Sequence, residues 1–255
     1  MSAQEQPAVY EEYAVDGSDR LSTVLKYGIA FVVVTILCVL VYALIVGVFS
    51  PPAPRTVVES SLLQAEAAVK KNAGNGQAWA ALAGAQWASG NESEAWATLE
   101  QGRKKVKDGS IVVVNVMALR FLEAEGKNDE LLKKSDEYIK AAALNRVKQL
   151  EEAAAKGIKT PAELNDNTNE IELLVLKATA QGNLGKWKDS VKSLNYAIEL
   201  DPLGADLLTL RGWAKLRSGD KAGAKKDFQQ ALKYMPDNTS ASQGLKEASA
   251  KSSSK

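Results

Sequence analysis

Side-chain chemistry has few tools in this chain. Its 255 residues include no histidine and a single cysteine, Cys38. That removes the commonest transition-metal ligand, haem ligation by imidazole, and the base of every Ser-His or Cys-His nucleophile pair. A lone cysteine also rules out a disulfide within the chain and a thiolate cluster. Carboxylates remain, and the run Asn165-Asp166-Asn167-Thr168-Asn169-Glu170 could offer oxygen ligands to a cation. It lacks the glycine and the spacing of a calcium loop, and reads instead as an Asx-rich turn capping the next helix. No nucleophile and base pair, phosphate loop or metal cluster is visible, so no enzyme, cofactor or small-molecule substrate is expected.

Charge points the same way. Lys and Arg number 32 against 31 Asp and Glu. The segment through Arg20 carries one cation and five acids, while residues 50–255 carry 30 cations and 26 acids, a balance of +4. Nucleic-acid binding needs cations gathered on one face. Arg103-Lys104-Lys105 and Lys225-Lys226 read as solvated helix faces, and no nucleic-acid partner is expected.

The chemistry left is recognition, with tryptophans as its most useful residues, and these need elements to hold them. Gly185, Ala197 and Pro202 recur as Gly219, Ala231 and Pro236, an offset of 34 residues that also aligns Leu194 with Phe228 and Leu200 with Tyr234. A period near 34 with small residues at fixed places marks stacked helical hairpins, which bury their apolar faces only against one another. A third copy begins at Gly76, with Trp79, Leu82, Ala83, Gly90, Ala95 and Leu99, and Gly102 where an alanine is usual. On these residues the chain resembles the tetratricopeptide repeat family, whose small positions let two helices approach and whose large ones fill the gap to the next hairpin. In the two C-terminal copies Lys177 and Arg211 stand where that pattern has leucine, and Leu176 and Leu210 beside them are available for packing.

The fold expected is all-α. It comprises a polar tail at 1–26, a transmembrane helix at 27–49, a Pro-rich spacer at 50–56, a tetratricopeptide-type solenoid at 57–248 and a frayed tail at 249–255. Clear repeats occupy 76–109, 171–204 and 205–238. A degenerate hairpin and a helical insertion fill 110–170, its second helix running to Ala155 and capped at Gly157, with a fresh start at Thr160-Pro161. The insertion is either a lateral docking element or a neutral elaboration.

The resemblance implies a concave wall built from the first helix of each hairpin. Its exposed positions are Gln77, Ala80, Gly84 and Trp87, then Glu172, Val175, Thr179 and Asn183, then Asp206, Thr209, Trp213 and Arg217. Trp87 and Trp213 either anchor a partner or pack between hairpins, whereas Trp79 and Trp187 fill core positions. The wall lacks the Lys and Asn set by which chaperone-binding members clamp a terminal carboxylate. The partner expected is a protein or peptide in an extended or helical form.

Residues 27–49 contain no charged residue, and 23 residues of helix would span about 35 Å, enough for a hydrocarbon core of about 30 Å. Arg20 and Lys26 before this run and Arg55 after it favour a cytoplasmic N-terminus and an extracytoplasmic C-terminal domain. In layout the chain resembles bacterial single-pass, signal-anchored tetratricopeptide proteins, including accessory factors of protein export and of cytochrome c maturation. The expectation is a scaffold on the cell membrane, held by the lipid bilayer, that assists assembly of a membrane-proximal complex. A cytosol-facing receptor anchored by its N-terminus is the alternative.

Overall fold

The computed structural model describes residues 25, 27–29, 31–42, 56–157 and 167–250. Most of the expected tail at 1–26, nearly all of the spacer at 50–56, the helix start at Thr160 and most of the tail at 249–255 lie outside them. The chain divides into two units, Met1–Pro54 and Arg55–Lys255.

In the first unit the described residues are helical, with an unbroken stretch at 31–42 whose side chains, Cys38 among them, are exposed. Among the described residues no helix is long and apolar enough to cross a membrane. The expectation of an N-terminal transmembrane helix at 27–49 is therefore corrected. With it go the single-pass placement, the bilayer as partner, and the inside-to-outside orientation. A charge-free composition reports hydropathy, and does not by itself set the length of a helix.

The second unit contains ten helices among the described residues: α1 (Val57–Lys71), α2 (Gly76–Ala88), α3 (Glu92–Lys105), α4 (Ile111–Ala124), α5 (Asn128–Ala155), α6 (Thr168–Asn183), α7 (Trp187–Leu200), α8 (Ala205–Arg217), α9 (Lys221–Tyr234) and α10 (Thr239–Ser249). Local chemistry sets several starts. Thr56 and Glu59 form a reciprocal capping box ahead of α1, and Asn75, Asp220 and Asn238 cap α2, α9 and α10 with side-chain oxygens. Gly185 and Gly219, at the turns of the last two hairpins, have φ of 69° and 93°, which a side chain rarely tolerates. Gly157 takes the same conformation, φ 67°, just past α5.

Consecutive helices pack antiparallel in hairpins, α2 with α3, α4 with α5, α6 with α7 and α8 with α9, and α10 covers the end against α8 and α9. First helices also stack on one another, α2 on α4 and α4 on α6. Small residues permit the approach: Ala83, Ala95, Ala197, Ala224 and Ala231 are wholly buried. A Cβ on Gly102 would stand 2.8 Å from Trp79, and one on Gly182 2.7 Å from the Trp187 ring. Both tryptophans thus pack directly against a bare helix backbone.

The two substituted leucine positions resolve differently. Leu176 is buried as expected, and Lys177 turns out to pair with Asp136 on α5. Leu210 instead stays 40% exposed, because Arg211 reaches inward to hold the buried Asp227 with two hydrogen bonds of 2.8 Å. The apolar interior is correspondingly divided. One cluster runs through α2 to α6, including Trp79, Leu119, Tyr138 and Leu173. A second joins α8, α9 and α10 around Phe228, and two small ones bridge α6, α7 and α8.

Candidate binding surface

The wall of first helices is built by α2, α4, α6 and α8, and its proposed residues have separate fates. On α2, Gln77 is exposed but Ala80 is 3% exposed, and this position is corrected from surface to interior. The reason is that α2 is apolar on all sides and is enclosed by α1, α3 and α4. Gly84 lies against Met117, and Trp87 stacks on Phe121 with ring centroids 4.1 Å apart and planes at 18°. Trp96 meets the same Phe121 edge-on at 5.5 Å. Trp87 is a packing residue between hairpins.

On α8, Thr209 is also corrected to the interior. Its hydroxyl donates to the Ala205 carbonyl at 2.8 Å and accepts from the Asn238 amide at 3.1 Å, so the asparagine that caps α10 also closes over it. Asp206 and Arg217 remain exposed. The Arg217 guanidinium lies 5.9 Å from the Trp213 ring centroid. Trp213 is half-buried. It meets Phe228 edge-on at 5.4 Å, and its indole N–H donates to Ser240 at 3.0 Å. The ring is thus held by Phe228 and Ser240 while part of it faces the cleft between α6 and α8.

Four of the proposed residues converge. Val175, Thr179 and Asn183 of α6 and Trp213 of α8 line one cleft of about 180 Å³, together with Leu210 and Trp187. Its floor is Ala178, Gly182, Leu194 and Ala214, apolar apart from the buried Ser190 beside them. Asn183 is steadied there by the Asn128 side chain at 3.2 Å.

Glu172 lies farther along the wall, paired with Arg120 of α4 at 2.5 Å. Burial pushes the neighbouring Glu123 carboxyl above its usual range. Arg120 opposes that shift and Glu172 adds to it. Sequence reasoning passed over Arg120. Its signal was position, since it precedes the turn glycine Gly126 by six residues, as Gly84, Thr179 and Trp213 precede Gly90, Gly185 and Gly219. It also passed over Leu210, read as packing.

Two further clefts depend on the long α5. One of about 510 Å³ opens between α5 and α7 over α6, with Ile139, Leu174 and Tyr196 among its walls. Its cations are paired, Arg146 with Glu170 at 3.1 Å, Lys192 with Asp189 at 2.9 Å, and Lys177 with Asp136. The other, of about 370 Å³, is polar and includes Gln77. Among the described residues no group of three Asp, Glu or Cys side chains converges.

A family model described as a tetratricopeptide repeat matches residues 205–238, the span of α8 and α9 with their flanking turns. Residues 205–238 are thus a tetratricopeptide repeat. A curated relative, the DnaJ homolog subfamily C member 3 homolog of Dictyostelium discoideum, is 31% identical over 86 residues, which is 34% of this chain. The chain spans only 17% of that relative's length. Among solved structures it is similar to YrrB, described as a tetratricopeptide repeat protein with an unusual peptide-binding site, at TM-score 0.49 and 16% identity over 74% of this chain and 84% of that one. It is also similar to the first repeat domain of Spaghetti (RPAP3) bound to an HSP90 peptide, at TM-score 0.43 and 21% identity over 56% of this chain and 93% of that one.

Proposed function

We propose that this tetratricopeptide repeat protein is a scaffold that holds a partner polypeptide against its first-helix wall, with one apolar side chain of the partner inserted between α6 and α8. The observation that carries this reading is the convergence of Val175, Thr179, Asn183 and Trp213 on a single cleft. Its volume of about 180 Å³ is below the roughly 300–1,000 Å³ of small-molecule sites, and suits one side chain better than a whole ligand. The Trp213 indole is already oriented by Ser240, so little ordering remains to be done on binding. Asn183 and Thr179 at the rim supply hydrogen bonds to the partner's backbone on either side of the anchor. The repeat stack acts here by holding rather than by reacting, in keeping with a chain that lacks histidine.

Leu210→Glu tests this directly, because the side chain lines the cleft yet is 40% exposed and contributes little to the core. A photo-crosslinking residue at Asn183 should capture a partner in cells, and Leu210→Glu should abolish that capture without lowering the melting temperature. Capture that survives Leu210→Glu, or that is equally strong from Lys225 on α9, would sink the reading.

A further inference from the structure

α5 has 28 residues, against 14 in each of the second helices α3, α7 and α9. Its added half lies over the Asp108–Ser110 loop and the first turns of α2, α4 and α6, and encloses the polar cleft of about 370 Å³. The approach is close. A Cβ on Gly109 would stand 2.6 Å from the Asn145 amide nitrogen, and Gln149 comes nearer still. Gly109 leaves room for the ends of both carboxamides beside the loop backbone.

Four carboxamides, Gln77, Asn145, Gln149 and Asn169, line this space. Among the described residues none of their side chains makes a hydrogen bond within the protein. The charged groups beside them are occupied: Arg146 faces Glu170 at 3.1 Å, and Asp108 accepts from the Ser110 amide and hydroxyl at 2.9 and 2.5 Å. No aromatic ring lines the cleft, which removes the stacking platform that sugars and nucleobases use. The lining holds one cation against two acids, which disfavours a phosphate, and among the described residues no three acidic side chains converge to hold a metal. What remains is a row of paired C=O acceptors and N–H donors, the same groups in the same geometry as a peptide bond.

We infer that this cleft is a second binding site, which takes an extended polypeptide segment through its backbone amides. Val112, Val113 and Ala142 provide only short apolar contacts, so the ligand's side-chain sequence matters little. The site shares no residue with the α6–α8 cleft, and it stands or falls separately from the reading given there.

The probe is a set of short peptides selected on the full chain from a random displayed library. Their affinities are then measured for the wild type, for Asn145→Ala/Gln149→Ala, and for Lys148→Ala, an exposed neighbour on the same helix. For at least one class of selected peptide, the double variant should weaken binding about tenfold or more, while Lys148→Ala and Leu210→Glu leave it unchanged. Methylating a central backbone amide of such a peptide should cost more affinity than replacing any one of its side chains by alanine. Should the double variant melt early, Gln149→Met keeps the side chain's length without its hydrogen-bonding end and should show the same loss. The proposal fails if no selected peptide distinguishes the carboxamide variants from wild type. It fails equally if those that do depend on a side-chain anchor rather than on a backbone amide.

Discussion

Phe228 lies directly on the backbone of Gly212: a Cβ added there would stand 2.6 Å from the ring's Cε1. The ring is wholly buried, and Gly244 of α10 also lies directly against it, at its Cζ end. One aromatic residue of α9 therefore joins three helices through two positions that have no side chain.

Gly212→Ala should destabilise the chain by about 1–3 kcal/mol, because a rigid ring cannot move aside as a flexible side chain would. Gly84→Ala offers the contrast. Its Cβ would meet the flexible Met117 methyl at an ordinary 3.5 Å. Replacing a helical glycine there should stabilise by about 0.5–1 kcal/mol. Denaturant melts of the two variants should shift in opposite directions, and a stabilising Gly212→Ala would show that the α8–α9 contact is looser than described.

Asp227 is buried and holds both Arg211 and Lys215, each at 2.8 Å. Asp227→Ala leaves two cations facing an apolar interior and should cost about 3–5 kcal/mol. Arg211→Leu restores the usual residue at that position but strips Asp227 of its bidentate partner, so it should also destabilise. The double-mutant cycle should show strong coupling, and additive losses would mean that the pair is not acting as a unit.

Glu125 accepts from the Trp96 indole at 3.1 Å and pairs with Lys127 at 2.9 Å. Burial raises its carboxyl pKa. The Lys127 and Trp96 hydrogen bonds and the Lys127 charge outweigh that, so the group sits below its ordinary value of 4.5. A carboxyl with a depressed folded pKa stabilises the fold above its unfolded value, and that contribution is lost as pH falls through the folded one. The wild type should therefore be more stable than Glu125→Gln at neutral pH, with the gap closing well below pH 4.5. A gap that persists undiminished in acid would assign the effect to packing.

Phe121 receives Trp87 on its face and Trp96 on its edge. Phe121→Ala should cost about 3–5 kcal/mol in thermal or denaturant unfolding. It also uncovers both Trp87 and Trp96, so the summed tryptophan emission of the folded variant should shift toward that of exposed indole, whereas an unchanged spectrum would show that neither ring packs on Phe121.

The repeat was legible because its signal is periodic. Small residues at fixed intervals have one use in a hairpin stack, and Ala83, Ala197 and Ala231 are buried where their spacing put them. The wall was legible only in part, since a family position states which way a residue faces in a regular repeat and not what lies over it here. Thr209 illustrates the limit: its burial depends on Asn238, a helix cap 29 residues away. Ala80 is covered because α2 has neighbours on every side. Leu210 was misread because the inward turn of Arg211 requires a buried acid at Asp227, a pairing that no local pattern reveals. The span expected at 27–49 rests on composition alone, and among the described residues no helix is long and apolar enough to cross a membrane.

The interior is partitioned along the chain, with a large block through α2 to α6, another around Phe228, and only slender apolar bridges between them. The α6–α8 cleft lies on that seam and shares Ala178, Leu194 and Ala214 with one of those bridges. In a linear stack each hairpin is held by its neighbours alone. A partner seated in the cleft touches both sides of the joint and works as a splice. If the proposed partner binds there, the C-terminal hairpin should exchange its amide hydrogens independently when the cleft is empty and together with the larger block when it is filled.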